Sequence, residues 1–160
     1  MTENNSNQQL LDAVINGNAQ QVEALINEGV DINATNEYGA TVIHIAAQNN
    51  FHEIISILCK NGANVNALTL DGWTALHFAA AKGYIESAKI LLDNNTNPNI
   101  AGLRYGRTAL HYSAEKGHSA VVKAILSAKA DRSLKDKHGQ TALDLAIKNN
   151  NSKTAELLKS

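Results

Sequence analysis

Four glycines, Gly39, Gly72, Gly106 and Gly139, fall 33, 34 and 33 residues apart, and each sits in a stretch that restates one pattern: YGATVIHIAAQNN, DGWTALHFAAAKG, YGRTALHYSAEKG and HGQTALDLAIKNN. A fixed period of this length constrains the fold more than any other feature, because it implies a row of like units that contact only their neighbours. The single departure from 33 lies in NIAGLRYG and lengthens one loop.

Each unit can be read from its residues. Glycine supplies the positive φ of a tight turn, and Thr41, Thr74, Thr108 and Thr141 follow two residues later as helix N-caps whose hydroxyls accept a backbone N–H. Small residues in the first helix (Ala46, Ala47, Ala79, Ala80, Ser113, Ala114) allow close helix approach. A second apolar segment follows, HEIISILCK, YIESAKILLD, SAVVKAILS and KTAELLKS, whose Ile54, Ile55, Leu58, Ile90, Leu91, Val122 and Leu126 fill the layer between helices. A Gly or Asn turn and an Asn-containing tail, as in NGANVNA and NNTNPNI, close the unit.

QQLLDAVINGNAQQVEALINEGVDINA shows the same two segments and tail without the Gly-x-Thr opening, which brings the units to five. A lone pair of short helices buries too little apolar surface to outweigh its ordering entropy, so the units must stack and the ends must be polar. Gln20 and Gln21 at one end, and Asn149 to Asn151, Lys153 and Glu156 at the other, meet that demand. Ser6-x-x-Gln9 reads as a capping box opening the first helix, leaving residues 1–5 as a disordered tail.

Composition agrees and excludes several functions. The chain is 44% apolar but only 4% aromatic, with one proline, which favours short helices over a β-sandwich. No stretch reaches the roughly 18 apolar residues of a membrane span, and MTENNSNQQ has no secretory signal. A cytoplasmic protein is expected, with export by a signal not readable here left open. Cys59, the sole cysteine, excludes an intramolecular disulfide and a thiolate zinc cluster. The sequons at Asn4, Asn33, Asn94 and Asn150 are read as by-products of Asn richness. No phosphate loop, HExxH, GxSxG or dinucleotide fingerprint occurs, so neither catalysis nor a cofactor is expected.

Charge is polarised along the chain. Residues 1–80 carry eight carboxylates against Lys60 alone, a net of −7; residues 81–160 carry thirteen Lys and Arg against seven carboxylates, a net of +6. The last two units gather Lys116, Lys123, Lys129, Arg132, Lys135 and Lys137, a field that an acidic protein partner would use at least as well as nucleic acid. Polarity of this kind also favours head-to-tail self-assembly, which the polar ends oppose, so a monomer is expected.

TVIHIAA, TALHFAA and TALHYSA, with the tails GANVNA and GVDIN, resemble the Thr-Pro-Leu-His-x-Ala-Ala signature and Gly-Ala-Asp-x-Asn tail of ankyrin repeats over roughly residues 6–158. The family's proline is replaced by Val42, Ala75, Ala109 and Ala142, and its histidine by Asp144 in the last copy. The resemblance implies an all-α solenoid with short hairpin loops, of about five helix-turn-helix units with atypical caps, as one domain over 6–160 (repeats near 6–35, 36–68, 69–102, 103–135 and 136–160). By the same resemblance, His44, His77 and His111 exchange hydrogen bonds with the capping Thr and backbone, and His118 is structural. One metal could not be shared among the first three across helices spaced about 8–10 Å apart, and His52 and His138 are read as surface residues. Asn33, Asn66 and Asn99 occupy a tail position that in some family members resembles a substrate for asparaginyl hydroxylation.

The resemblance also implies where a protein partner sits. Residues flanking the turn glycine become hairpin tips: Glu37, Tyr38 and Ala40; Leu70, Asp71 and Trp73; Arg104, Tyr105 and Arg107; Lys137, His138 and Gln140. A concave wall carries Gln48, Asn49, Ala81, Lys82, Glu115, Lys116, Lys148 and Asn149. Trp, Tyr and Arg are the types enriched at binding hot spots. The expected partner surface is therefore Tyr38, Leu70, Asp71, Trp73, Lys82, Arg104, Tyr105, Arg107, Glu115 and Lys116, with Trp73 as anchor. Packing of Trp73 against the next unit's hairpin is the competing reading.

Overall fold

The computed structural model describes residues 3–160, with side chains from Asn5 onward. Ten helices form five antiparallel pairs: α1 Glu3–Ile15 and α2 Ala19–Asn27; α3 Val42–Gln48 and α4 His52–Lys60; α5 Ala75–Lys82 and α6 Ile85–Asp93; α7 Ala109–Glu115 and α8 Ser119–Ser127; α9 Ala142–Lys148 and α10 Ser152–Lys159. No strand occurs among the described residues. Odd helices pack against odd and even against even along the row, which makes two helical layers with the core between them.

Helices of seven to nine residues are too short to persist alone, so the stack stabilises them. The odd layer is built for close approach, with Ala46, Ala47, Ala79, Ala80, Ala114 and Ala146 all removed from solvent. The even layer supplies bulk through Val22, Ile54, Ile55, Leu58, Leu91, Val121, Val122 and Ile125. Ile90 and Leu126, expected inside, are only half-buried, because they lie at the edge of that layer.

The first helix opens at Glu3 rather than at Ser6, so residues 3–5 are helical where a tail was expected. Nothing in ENNSNQQ, which lacks Gly and Pro, stops the helix from extending towards the N-terminus. Met1 and Thr2, the rest of that expected tail, lie outside the described residues.

Neighbouring units are also joined through polar atoms. The Oδ1 atoms of Asn33, Asn66 and Asn99 accept the backbone N–H of Asn64, Asn97 and Asp131 at 2.9, 2.7 and 2.8 Å. Asn151 donates from Nδ2 to the carbonyls of Ala114 and Glu115 at 2.9 and 2.8 Å, so this residue of the last unit binds inward rather than solvating the end.

Candidate functional site

The four loops that precede the odd helices are short hairpins. Gly39, Gly72, Gly106 and Gly139 have φ of 65 to 74°, a region costly for other residues. A side chain at the loop's first position closes three of them. Asn36 Oδ1 accepts the N–H of Tyr38 and Ala40, Asp136 Oδ1 accepts those of His138 and Gln140, and Thr69 Oγ1 accepts that of Trp73. The fourth has Gly102 there, without a side chain to accept, and keeps the backbone bond common to all four loops, from the turn glycine's N–H to the carbonyl of the first position, here Gly106 to Gly102.

Three of the four hairpins are then held by a histidine of the preceding unit. Thr41, Thr74 and Thr108 donate their backbone N–H to Nδ1 of His44, His77 and His111 at 3.0, 3.0 and 3.2 Å. That leaves Nε2–H to donate across the interface: His44 to the Ala67 and Trp73 carbonyls (2.9 and 3.0 Å), His77 to Arg107 (3.1 Å) and His111 to Gln140 (3.1 Å). Burial holds all three histidines below their usual pKa, His77 at about 4. In the fourth of these helices, α9, Asp144 stands in the histidine's place and accepts the Thr141 N–H at 2.8 Å.

The expected bond from the first helical turn to the Thr hydroxyl forms at Thr74 (3.4 Å) and Thr141 (3.2 Å). The hydroxyls of Thr41, Thr74 and Thr108 also lie 3.1, 2.9 and 2.9 Å from Nδ1 of His44, His77 and His111, and all four helices keep the capping-box arrangement.

A backbone ladder links tip to tip. Leu70 N–H donates to the Tyr38 carbonyl at 3.0 Å, Leu103 to Asp71 at 2.8 Å and Lys137 to Tyr105 at 2.9 Å. Leu70, Leu103 and Lys137 thus hold the same place in successive tips. Counting back from Gly106 puts Arg104 opposite Leu70 and misses Leu103, because the extra residue bulges at Arg104 and Tyr105. Gly102, standing where the other tips have Asn36, Thr69 and Asp136, is the sequence signal that would have found it.

The expected partner residues divide into two groups. Tyr38 and Leu70 are 66% and 71% exposed, and Asp71, Lys82, Arg104, Tyr105 and Lys116 also face solvent, with the Arg104 guanidinium 5.0 Å from the centre of the Tyr105 ring. Leu103, at 63%, and Leu68 join them.

Trp73, Arg107 and Glu115 are half-buried instead. The Trp73 ring lies 4.9 Å from Phe78 and 4.8 Å from Tyr112, centre to centre, and stacks on His77 at 5.7 Å. A Cβ on Gly102 would stand 3.1 Å from Trp73 Cδ1, so the indole covers the gap that Gly102 leaves. Arg107 donates from Nε to Asp136 and from Nη1 to Glu115, both at 3.0 Å. Burial alone would raise the Asp136 pKa, but the Gln140 and His138 amides and the Arg107 guanidinium hold it below the usual carboxylate range.

No group of three or more His, Cys, Asp and Glu able to hold a metal occurs among the described residues. His118 donates from Nε2 to the Ala81 carbonyl at 3.3 Å. Cys59 is half-buried, and burial raises its thiol pKa. No described helix is long and apolar enough to cross a membrane.

A family model of ankyrin repeats in three copies matches this chain twice, over residues 10–102 and 101–160. The chain belongs to the ankyrin-repeat family. None of the curated proteins compared with it matches. Ankyrin repeats are generally protein–protein interaction modules and are typically non-enzymatic. The hairpins and odd helices described above are the tips and wall of ankyrin units, and the tips at Trp73, Arg107 and Gln140 are each pinned by the histidine of the unit before.

Proposed function

We propose that this ankyrin-repeat chain is a non-enzymatic adaptor, scaffold or inhibitor that holds one protein partner on its middle hairpin tips and the adjoining wall. One observation carries the reading. Of the large apolar side chains left exposed, Tyr38, Leu68, Leu70, Leu103 and Tyr105 lie on or beside these tips, while Ile15 and Ile147 lie in the two end units. Clustered exposed apolar side chains mark interaction surfaces. Lys82 and Lys116 add exposed cations on the wall.

Trp73 and Arg107 serve this surface mainly by supporting it, since truncating either also disturbs packing or an ion pair. Leu70 and Leu103 make the better test. Partner capture from the source cells should succeed with the wild type and fail with the folded Leu70→Gln, Leu103→Gln variant, at a cost of about 2 kcal/mol or more in a direct titration. A partner bound equally by both proteins would move the site off the tips. The reading includes the cytoplasmic placement expected above, which cell fractionation checks.

A further inference from the structure

The tip row narrows the chemistry of the partner. The ladder gives Leu70, Leu103 and Lys137 one register, and Glu37, which precedes Tyr38 as Leu70 precedes Asp71, holds the same place one tip earlier. Read along the stack, that place is acidic, apolar, apolar and basic, and all four side chains are exposed.

The row is also pre-organised. A Cβ built on Gly39 would stand 3.3 Å from Leu70 Cγ, one on Gly72 2.7 Å from Leu103 Cγ, and one on Gly106 3.0 Å from Lys137 Cγ. Leu70, Leu103 and Lys137 each therefore drape over the bare glycine of the tip before them, and their backbones are fixed by the ladder. Little ordering entropy remains to be lost when a ligand arrives. The Lys137 ammonium donates to the Leu103 carbonyl, a neutral acceptor that a carboxylate can replace with a charge-assisted bond. The change of sign follows the whole chain, −7 in the first half and +6 in the second, so the field along the row has one direction.

Stacked units lie roughly 10 Å apart, and an extended polyproline II chain advances about 3.1 Å per residue with three residues per turn. Every third residue of such a segment therefore lies on one face and meets a tip. We propose that the row docks an extended segment of a protein partner carrying a basic residue, two apolar residues and an acidic residue at successive three-residue intervals. The basic residue lies over Glu37, the apolar pair over Leu70 and Leu103, and the acidic residue over Lys137. This rests on the protein-binding reading above and specifies its ligand.

The test is selection of a random twelve-residue peptide display library on the full chain, followed by fluorescence anisotropy with the enriched peptides. The expected sequences carry the basic, apolar, apolar, acidic order at intervals of three, in either chain direction. Leu70→Gln with Leu103→Gln should weaken them at least tenfold without moving the urea midpoint, since both side chains are exposed. Glu37→Lys should weaken them at least threefold, with recovery when the peptide's basic residue becomes Glu. Peptides with another spacing, a seven-residue helical spacing included, or peptides indifferent to the leucine variant, would overturn the proposal while leaving a protein-binding module intact. Failure to enrich any peptide, with a cellular partner still captured through Leu70 and Leu103, would overturn it in favour of a folded surface. Failure of both experiments would remove this proposal and the function it rests on together.

Discussion

The guanidinium of Arg107 lies 3.0 Å from Oδ2 of Asp136, whose side chain is wholly removed from solvent. The two residues belong to successive tips. Breaking a buried ion pair by removing one partner leaves a charge that water cannot reach, and the penalty is larger than the net worth of the pair.

Arg107→Ala is therefore expected to destabilise the chain by about 3 kcal/mol in urea denaturation. Asp136→Asn in that background should recover part of the loss, because a neutral amide needs no counter-charge. Asn36 shows that asparagine can accept the same two loop N–H groups. A single-variant cost below about 0.5 kcal/mol would mean that the loop amides satisfy Asp136 unaided.

Stability should fall as the solution is acidified. His77 is neutral in the fold with a pKa lowered from 6.5 to about 4, whereas the unfolded chain takes up the proton below about 6.5. Its contribution is thus complete above neutrality, declines between about 6.5 and 4, and levels off below that. At pH 5 His77 alone accounts for about 2 kcal/mol, and His44 and His111 act in the same direction. Trp73, the only tryptophan, stacks on His77 and reports the transition by fluorescence. Equal urea midpoints at pH 7.5 and 5 would show that the histidines stay exchangeable with solvent.

The repeat period, the positive-φ glycines and the capping threonines were legible because each depends on residues within one helical turn or on a self-similar spacing. The direction of Trp73 was not, since it is decided by the missing side chain of Gly102, 29 residues away and in another unit. Arg107 was read as a contact residue for the same reason. Its acceptor Asp136 is 29 residues ahead, where a carboxylate in a turn looks like an ordinary surface charge. Leu103 lies outside a register counted back from Gly106, which fails at the bulge; counting forward from Gly102 restores it, in agreement with the ladder bond to Asp71. Local chemistry was readable; contacts across a unit boundary required both units in place.

Lys129 ends its helix at φ 61°, where the equivalent turns use Gly29, Gly62 and Asn95. A Cβ in this left-handed region costs about 1 kcal/mol that glycine avoids. Lys129→Gly should raise stability by about that amount in urea melts, and Lys129→Ala, which removes the charge but keeps the Cβ, should not. A gain from both variants would assign the effect to charge in the basic half rather than to the backbone.

Thr96 is 4% exposed and its hydroxyl has no hydrogen-bond partner among the described residues. The equivalent turns carry Val30, Ala63 and Ala130, none with a polar side chain to satisfy. The backbone is the same in kind, since Thr96 N–H donates to Leu91 as Ala63 donates to Leu58. An unpaired buried hydroxyl costs its full desolvation, so Thr96→Val, which keeps the shape and removes the polar atom, is expected to stabilise by about 1 kcal/mol. Thr96→Ala should gain less, because it also gives up a packed methyl group. The urea midpoints of the two variants rank them, and a loss of stability in Thr96→Val would mean that a bound water satisfies the hydroxyl in solution.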